Sequence, residues 1–176
     1  MALCFPFDPE VHMDEFRQMY IEWFHSQMNP LKENYGFDFF STSGKTVEEI
    51  VDARLDTYSG LKPPMGVFLI LEVKGKVAGM VVIRKLSESR GLVNLMYNRP
   101  EFRGKGYAKQ LFHRLLEEGR KIGVTCFQLR TPVFSEAAHH IYRKTGFMEV
   151  EEYPESLMPN LPSILQPYSI YMEKKE

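Results

Sequence analysis

Two apolar, β-branched runs, Val67–Val73 and Lys76–Arg84, flank Lys74-Gly75, and this arrangement constrains the chain more than any other feature. Alternating strand-forming residues on either side of a two-residue turn read as a β-hairpin. A further strand pattern, Gly91–Tyr97, follows and ends near Arg99-Pro100. A glycine-bearing turn then leads into a helix with Leu111, Phe112, Leu115 and Leu116 on one face, ended by Gly119 or Gly123. Thr125–Thr131 reads as a buried strand, Ser135–Lys144 as a short helix, and Phe147–Tyr153 and Tyr168–Lys174 as strands around a proline-rich loop from Pro154 to Pro167. Antiparallel strands followed by strand-helix-strand-helix predict a mixed α/β sheet, whose parallel part needs a right-handed crossover.

Before the hairpin the pattern is helical. Val11, Phe16, Met19, Tyr20, Trp23 and Phe24 recur at helical spacing from Asp8 to Met28, with Asp8-Pro9 as the start and Asn29-Pro30 as the stop. Thr46-Val47-Glu48-Glu49 opens a second helix running to about Tyr58, with Thr46 and Glu49 as a capping box. The aromatic residues Tyr20, Trp23, Phe24, Tyr35, Phe37, Phe39 and Phe40 read as core, with an acceptor pocket as the alternative.

With 176 residues, 44% of them hydrophobic, and a formal net charge of −1, the chain reads as one globular domain with no basic face for nucleic acid. Its opening residues form neither a secretory signal nor a membrane anchor, so the expected location is cytoplasmic. Cys4 and Cys126 lack metal-ligand spacing, no metal is expected, and Cys126 reads as a reduced core thiol.

The chemistry is concentrated in Arg103-Gly104-Lys105-Gly106-Tyr107-Ala108, between a predicted strand and a predicted helix. A turn opening a helix presents unpaired backbone N–H groups and the positive end of the helix dipole, which together hold a pyrophosphate. Gly104 and Gly106 permit close approach, Ala108 keeps the first turn small, and Arg103, Lys105 and Lys109 add positive charge. The nucleoside-triphosphate loop, Gly-x-x-x-x-Gly-Lys-Ser/Thr, is absent. A dinucleotide fingerprint fails too, because Lys109 stands where its third glycine belongs.

Arg103-x-x-Gly106-x-Ala108 resembles the Arg/Gln-x-x-Gly-x-Gly/Ala motif of the GNAT-type N-acetyltransferases. Met96-Tyr97-Asn98-Arg99-Pro100 resembles the strand end that precedes it in that family. Ser135-x-x-Ala138-x-x-x-Tyr142 followed by Gly146-Phe147 resembles the second family motif, with Ser135 in place of the usual Asn. The resemblance covers roughly Val67 to Tyr153, with Tyr168–Lys174 as the last strand. It implies a mostly antiparallel mixed sheet splayed in the middle with helices on both faces. Residues 1–64 would form the acceptor side, 65–153 the acetyl-coenzyme A core and 154–176 a C-terminal loop and strand. It also implies acetyl-coenzyme A as co-substrate, bound by Met96, Tyr97, Asn98, Arg103, Gly104, Lys105, Gly106, Tyr107, Ala108, Lys109, Ser135, Ala138 and Tyr142.

By the same resemblance Tyr142 is the proton donor to the departing thiolate, and a small-molecule or peptide amine is the acceptor. Relatives often carry a Glu in the strand before the phosphate loop, where this chain has Gly91-Leu92-Val93-Asn94-Leu95. Glu22, His25 and Glu72 remain as candidate bases, each equally explained as an ordinary polar position. His139 and His140 read as solvent-facing or cofactor-lining, since adjacent residues do not share a helix face. A non-catalytic coenzyme A-binding module, acting as sensor or assembly surface, is the alternative function. Whether the chain is a monomer or a homodimer is open at this level.

Overall fold

The computed structural model describes residues 1–152 and 163–176. In chain order the elements are β1 (Ala2–Pro6), α1 (Pro9–Tyr35), α2 (Phe39–Ser43), α3 (Val47–Asp52), α4 (Leu55–Ser59), β2 (Gly66–Val73), β3 (Lys76–Lys85), β4 (Arg90–Asn98), α5 (Tyr107–Lys121), β5 (Cys126–Pro132), α6 (Glu136–Lys144), β6 (Met148–Val150) and β7 (Ser169–Lys175). The seven strands form one mixed sheet in the order β1-β2-β3-β4-β5-β7-β6. Only β4 and β5 are parallel; every other pair is antiparallel.

The predicted hairpin is β2–β3, and Lys74 and Gly75 both take positive φ, as a tight primed turn requires. Alternate residues of the central strands supply two separate cores. Leu69, Leu71, Val81 and Ile83 pack against Leu111, Phe112 and Leu115 of α5 on one face. Phe68, Ile70, Met80 and Val82 pack against Phe16, Met19, Tyr20 and Phe24 of α1 on the other. Helices therefore cover both faces, as expected of a GNAT-like sheet.

Three expectations are corrected. The chain opens with an unpredicted strand, β1, which pairs with β2 from Ala2↔Val73 to Pro6↔Leu69. Helix α1 does not stop at Asn29-Pro30 but continues to Tyr35, with Pro30 inside it. Burial of Leu31 and a left-handed Gly36 cap, whose N–H donates to the carbonyls of Leu31 and Lys32, hold the extra turn together. The expected second helix has the predicted capping box but breaks at Ala53-Arg54 into α3 and α4. Of the two glycines expected to end α5, Gly123 takes the positive-φ position just after its last residue, Lys121, because Gly119 is packed under Phe127. The last part of the predicted Phe147–Tyr153 strand and most of the Pro154–Pro167 loop lie outside the described residues. No helix among the described residues is long and apolar enough to cross a membrane.

One irregularity shapes the middle of the sheet. Met80 pairs with Tyr97 and Val82 with Asn94, so Leu95 and Met96 of β4 stand opposite Val81 alone. This is a β-bulge, which bends and twists its strand. Leu95 sits in it at φ 52, a left-handed value for a buried γ-branched residue. Such a conformation costs about 1–3 kcal/mol and persists only where packing fixes it. Beyond the bulge β4 diverges from β5, whose pairing with it covers only Arg90↔Cys126 to Val93↔Leu129. The sheet is therefore splayed, leaving a gap between residues 94–98 and 130–132.

Candidate active site

The splay opens the sheet where the glycine turn enters α5. Gly104 and Gly106 both take left-handed φ, at 73 and 79, and Gly106 caps the helix N-terminus without a side-chain hydrogen bond. A Cβ built on either glycine would meet nothing within 4 Å, so the space in front of this turn is open. Unpaired first-turn N–H groups face that space.

A cleft of about 1020 Å³ runs from this turn to the splayed strands. It is lined by Met96, Tyr97, Asn98, Arg103, Gly104, Gly106, Tyr107, Ala108, Lys109, Ser135, Ala138 and Tyr142, which the sequence places 46 positions apart at the extremes and the fold brings together. Lys105 does not line it; its ammonium donates to the Glu101 carbonyl at 2.8 Å instead. Arg103 is only partly available for phosphate, since its Nε donates to the Asn98 carbonyl at 2.9 Å and its guanidinium lies 5.6 Å from the Tyr97 ring centroid.

Asn98 gives this cleft a test of fit. It is buried, and neither its Oδ1 nor its Nδ2 has a hydrogen-bond partner. Orphaned amide atoms are costly in a protein interior, and a ligand carrying amide groups would supply both a donor and an acceptor. The pantetheine arm of coenzyme A has such amides. Together with the open turn at α5, the residues present fit that co-substrate.

Ser135 is the N-cap of α6, makes no side-chain capping bond and lines the cleft. Tyr142 is buried against Phe112 and Phe147 at ring separations of 5.1 and 6.1 Å. Its hydroxyl has no hydrogen-bond partner among the described residues, and burial pushes the phenol pKa above its ordinary value. Desolvation penalises the phenolate, so the side chain holds its proton.

A second, smaller cavity of about 110 Å³ lies on the α1 side of the gap. Trp23, Phe24 and Phe39 line it, so some of the α1–α2 aromatics serve as both core and pocket wall. Sequence reasoning missed its two cations, Arg54 and Arg130. Both carry a readable signal: Arg54 lies at helical spacing between buried Ile50 and Tyr58, and Arg130 is a charge set between buried Leu129 and Thr131 in a strand. The cleft and the cavity meet at Gln27, Met96, Ser135, Ala138 and Tyr142.

The expected bases do not converge here. Glu72 lies on β2, two strands from the gap, opposite Val77. The His25 ring packs against Phe40 with centroids 5.6 Å apart. Glu22 is engaged by Arg99 Nε at 3.3 Å and accepts from the Tyr97 hydroxyl, whose pKa is raised first by burial and then by the Glu22 charge. His139 is a correction: it is buried, not solvent-facing, with Nε2 2.9 Å from the Pro132 carbonyl. His140 is exposed and lines the cleft. Cys126 is a buried free thiol, with its pKa raised chiefly by burial.

The model of the Acetyltransferase (GNAT) family matches residues 14–147. The chain belongs to that family. Among curated relatives, it is 31% identical over 102 residues to N-acetylaspartate synthetase from Rattus norvegicus, a match covering 57% of this chain and 34% of the relative. The chain thus spans about a third of that relative's length. Among solved structures it resembles PaiA N-acetyltransferase from Thermoplasma acidophilum in complex with coenzyme A, with a TM-score of 0.67, 14% identity and coverage of 100% and 99% of the two chains. The Salmonella typhimurium protein yncA, solved with its cofactor acetyl-CoA, gives a TM-score of 0.67, 16% identity and coverage of 99% and 93%. These two likenesses establish the fold.

Proposed function

We propose that this GNAT acetyltransferase moves the acetyl group of acetyl-coenzyme A onto a primary amine of a small molecule or peptide, by direct attack in a ternary complex. The observation that carries the reading is the junction of cleft and cavity at Met96, Ser135, Ala138 and Tyr142. A thioester at the end of one and an amine in the other would meet beside a protonated phenol. The turn at Gly104 and Gly106 binds the pyrophosphate, and the unpaired gap-facing edge of β4 with Asn98 binds the pantetheine arm. A backbone N–H beside the bulge holds the oxyanion as the amine nitrogen bonds to the carbonyl carbon. As the C–S bond breaks, Tyr142 gives its proton to the thiolate, and the nitrogen loses its proton to water.

Incubation with acetyl-coenzyme A and a mixed panel of amines, read by free thiol and by the mass of the N-acetylated product, tests this. Thiol release matched by product supports transfer, whereas cofactor binding with no product from any amine returns the chain to a non-catalytic module.

The absence of a carboxylate among the described residues that line the cavity yields a prediction about proton removal. Replacing Glu22, Glu72 or His25 singly by Gln or Asn should leave kcat/KM within about tenfold of the parent across the pH range with the best acceptor. A dedicated general base commonly contributes about 10²–10⁴-fold. A loss of that size in one variant, with folding and cofactor affinity intact, would identify a base that the cavity geometry does not show.

A further inference from the structure

We infer that the acceptor is an amine that also carries a carboxylate, an inference that rests on the transfer reading above. Among the described residues lining the α1-side cavity the titratable groups are Arg54, Arg130, Tyr142 and Tyr168, so it holds two guanidinium charges and no acid. Arg54 is placed by the break between α3 and α4 and bonds through its side chain to the Tyr20 hydroxyl. Arg130 reaches the cavity from β5, the far wall of the gap. A third cation stands behind them: Arg84 is cross-strand from the cavity-lining Leu92, and its Nε is buried without a partner.

A guanidinium presents five donors in a planar fork suited to carboxylate, and bonds made to a charged partner are the strong ones. One contact to Tyr20 leaves most of the Arg54 fork for a ligand. The remaining walls combine the apolar Trp23, Phe24, Leu31 and Phe39 with the uncharged polar Gln27, Asn94 and Thr131. A water-sized group needs about 10–15 Å³ on this measure, so the cavity holds roughly seven to eleven such groups, the size of one small amino acid. A second ammonium group, as in a diamine, would meet like charge, with no acid among the described lining residues. The same field disfavours the ammonium form of the bound acceptor, which reduces the need for a base.

The test compares kcat/KM for L-leucine, L-leucinamide and 3-methylbutylamine at one pH. Relative to leucinamide the carboxylate of leucine favours its ammonium form, so intrinsic reactivity runs against the prediction there, while the more basic 3-methylbutylamine is compared per neutral amine. Leucine should nonetheless exceed both neutral analogues by about 10–100-fold, the range expected of charged hydrogen bonds. Arg54→Gln and Arg130→Gln should each cut the leucine-to-leucinamide ratio about tenfold or more, with Arg54→Lys losing less than Arg54→Gln. Equal or better use of leucinamide or 3-methylbutylamine by the parent protein would overturn the inference, as would an unchanged ratio in both Gln variants.

Calorimetry of N-acetyl-L-leucine and N-acetyl-L-leucinamide binding to coenzyme A-loaded protein separates this inference from the transfer reading. Tighter binding of the acid, lost in Arg54→Gln, supports the carboxylate site even if no amine is acetylated. Equal binding of the two overturns it even if transfer occurs.

Discussion

Replacing Tyr142 with phenylalanine is expected to lower the rate of acetyl transfer by about 10²–10⁴-fold while leaving acetyl-coenzyme A affinity nearly unchanged. The ring would keep its packing against Phe112 and Phe147, and only the hydroxyl would go. That hydroxyl has no partner among the described residues, so its removal strands no other buried group. Stability should therefore hold, and the thermal midpoint of the variant is the control. A purely structural tyrosine would show the reverse, with altered stability and intact turnover.

The pH profile supplies a second readout. Burial pushes the Tyr142 pKa above the ordinary value of 10, and the protonated form is the one that acts. An acid with a raised pKa is active below that pKa and lost only above it, so no alkaline fall in kcat due to Tyr142 should appear below about pH 10. A descending limb near pH 8 that disappears in the phenylalanine variant would contradict this assignment. Single-turnover measurements keep the comparison on the chemical step rather than on product release.

Much of the cofactor side was legible because it depends on local pattern. A turn of two residues fixes a hairpin, and a glycine turn marks where an amphipathic helix begins, so β2, β3 and α5 could be read from local pattern. The acceptor side depends on tertiary contacts instead. Strand β1 is five residues long with no clean alternation of burial, and it exists through pairing with β2. Pro30 reads as a helix stop, yet α1 passes through it, and Met28 and Leu31 near that proline line the α1-side cavity. The bulge at Leu95 was invisible for a different reason. Leucine carries no local preference for positive φ, so only the mismatch between β3 and β4 registers reveals it. Arg54 and Arg130 were visible as charges beside buried positions, but 76 positions separate them and nothing local says that they face one cavity.

Acetyl-coenzyme A at about a hundred times its dissociation constant should add about 2.7 kcal/mol to the native state, and Gly106→Glu should remove that gain entirely. For a domain of this size 1 kcal/mol moves the midpoint by about 2–4 °C, so the expected shift in the parent is about 5–10 °C. Two effects of the substitution need to be separated. At φ 79 any L-residue is strained, which lowers the midpoint with or without ligand. Gly106→Ala carries that strain but adds only a methyl group, whose Cβ meets nothing within 4 Å of this turn. The glutamate adds a side chain reaching into the same open space, and a negative charge where the helix N-terminus is to receive a pyrophosphate. The alanine variant should accordingly start lower than the parent and still respond to acetyl-coenzyme A, while the glutamate variant should not respond at all. Full stabilisation of Gly106→Glu by the co-substrate would mean that the pyrophosphate lies elsewhere, and the cleft between α5 and α6 would lose its assignment.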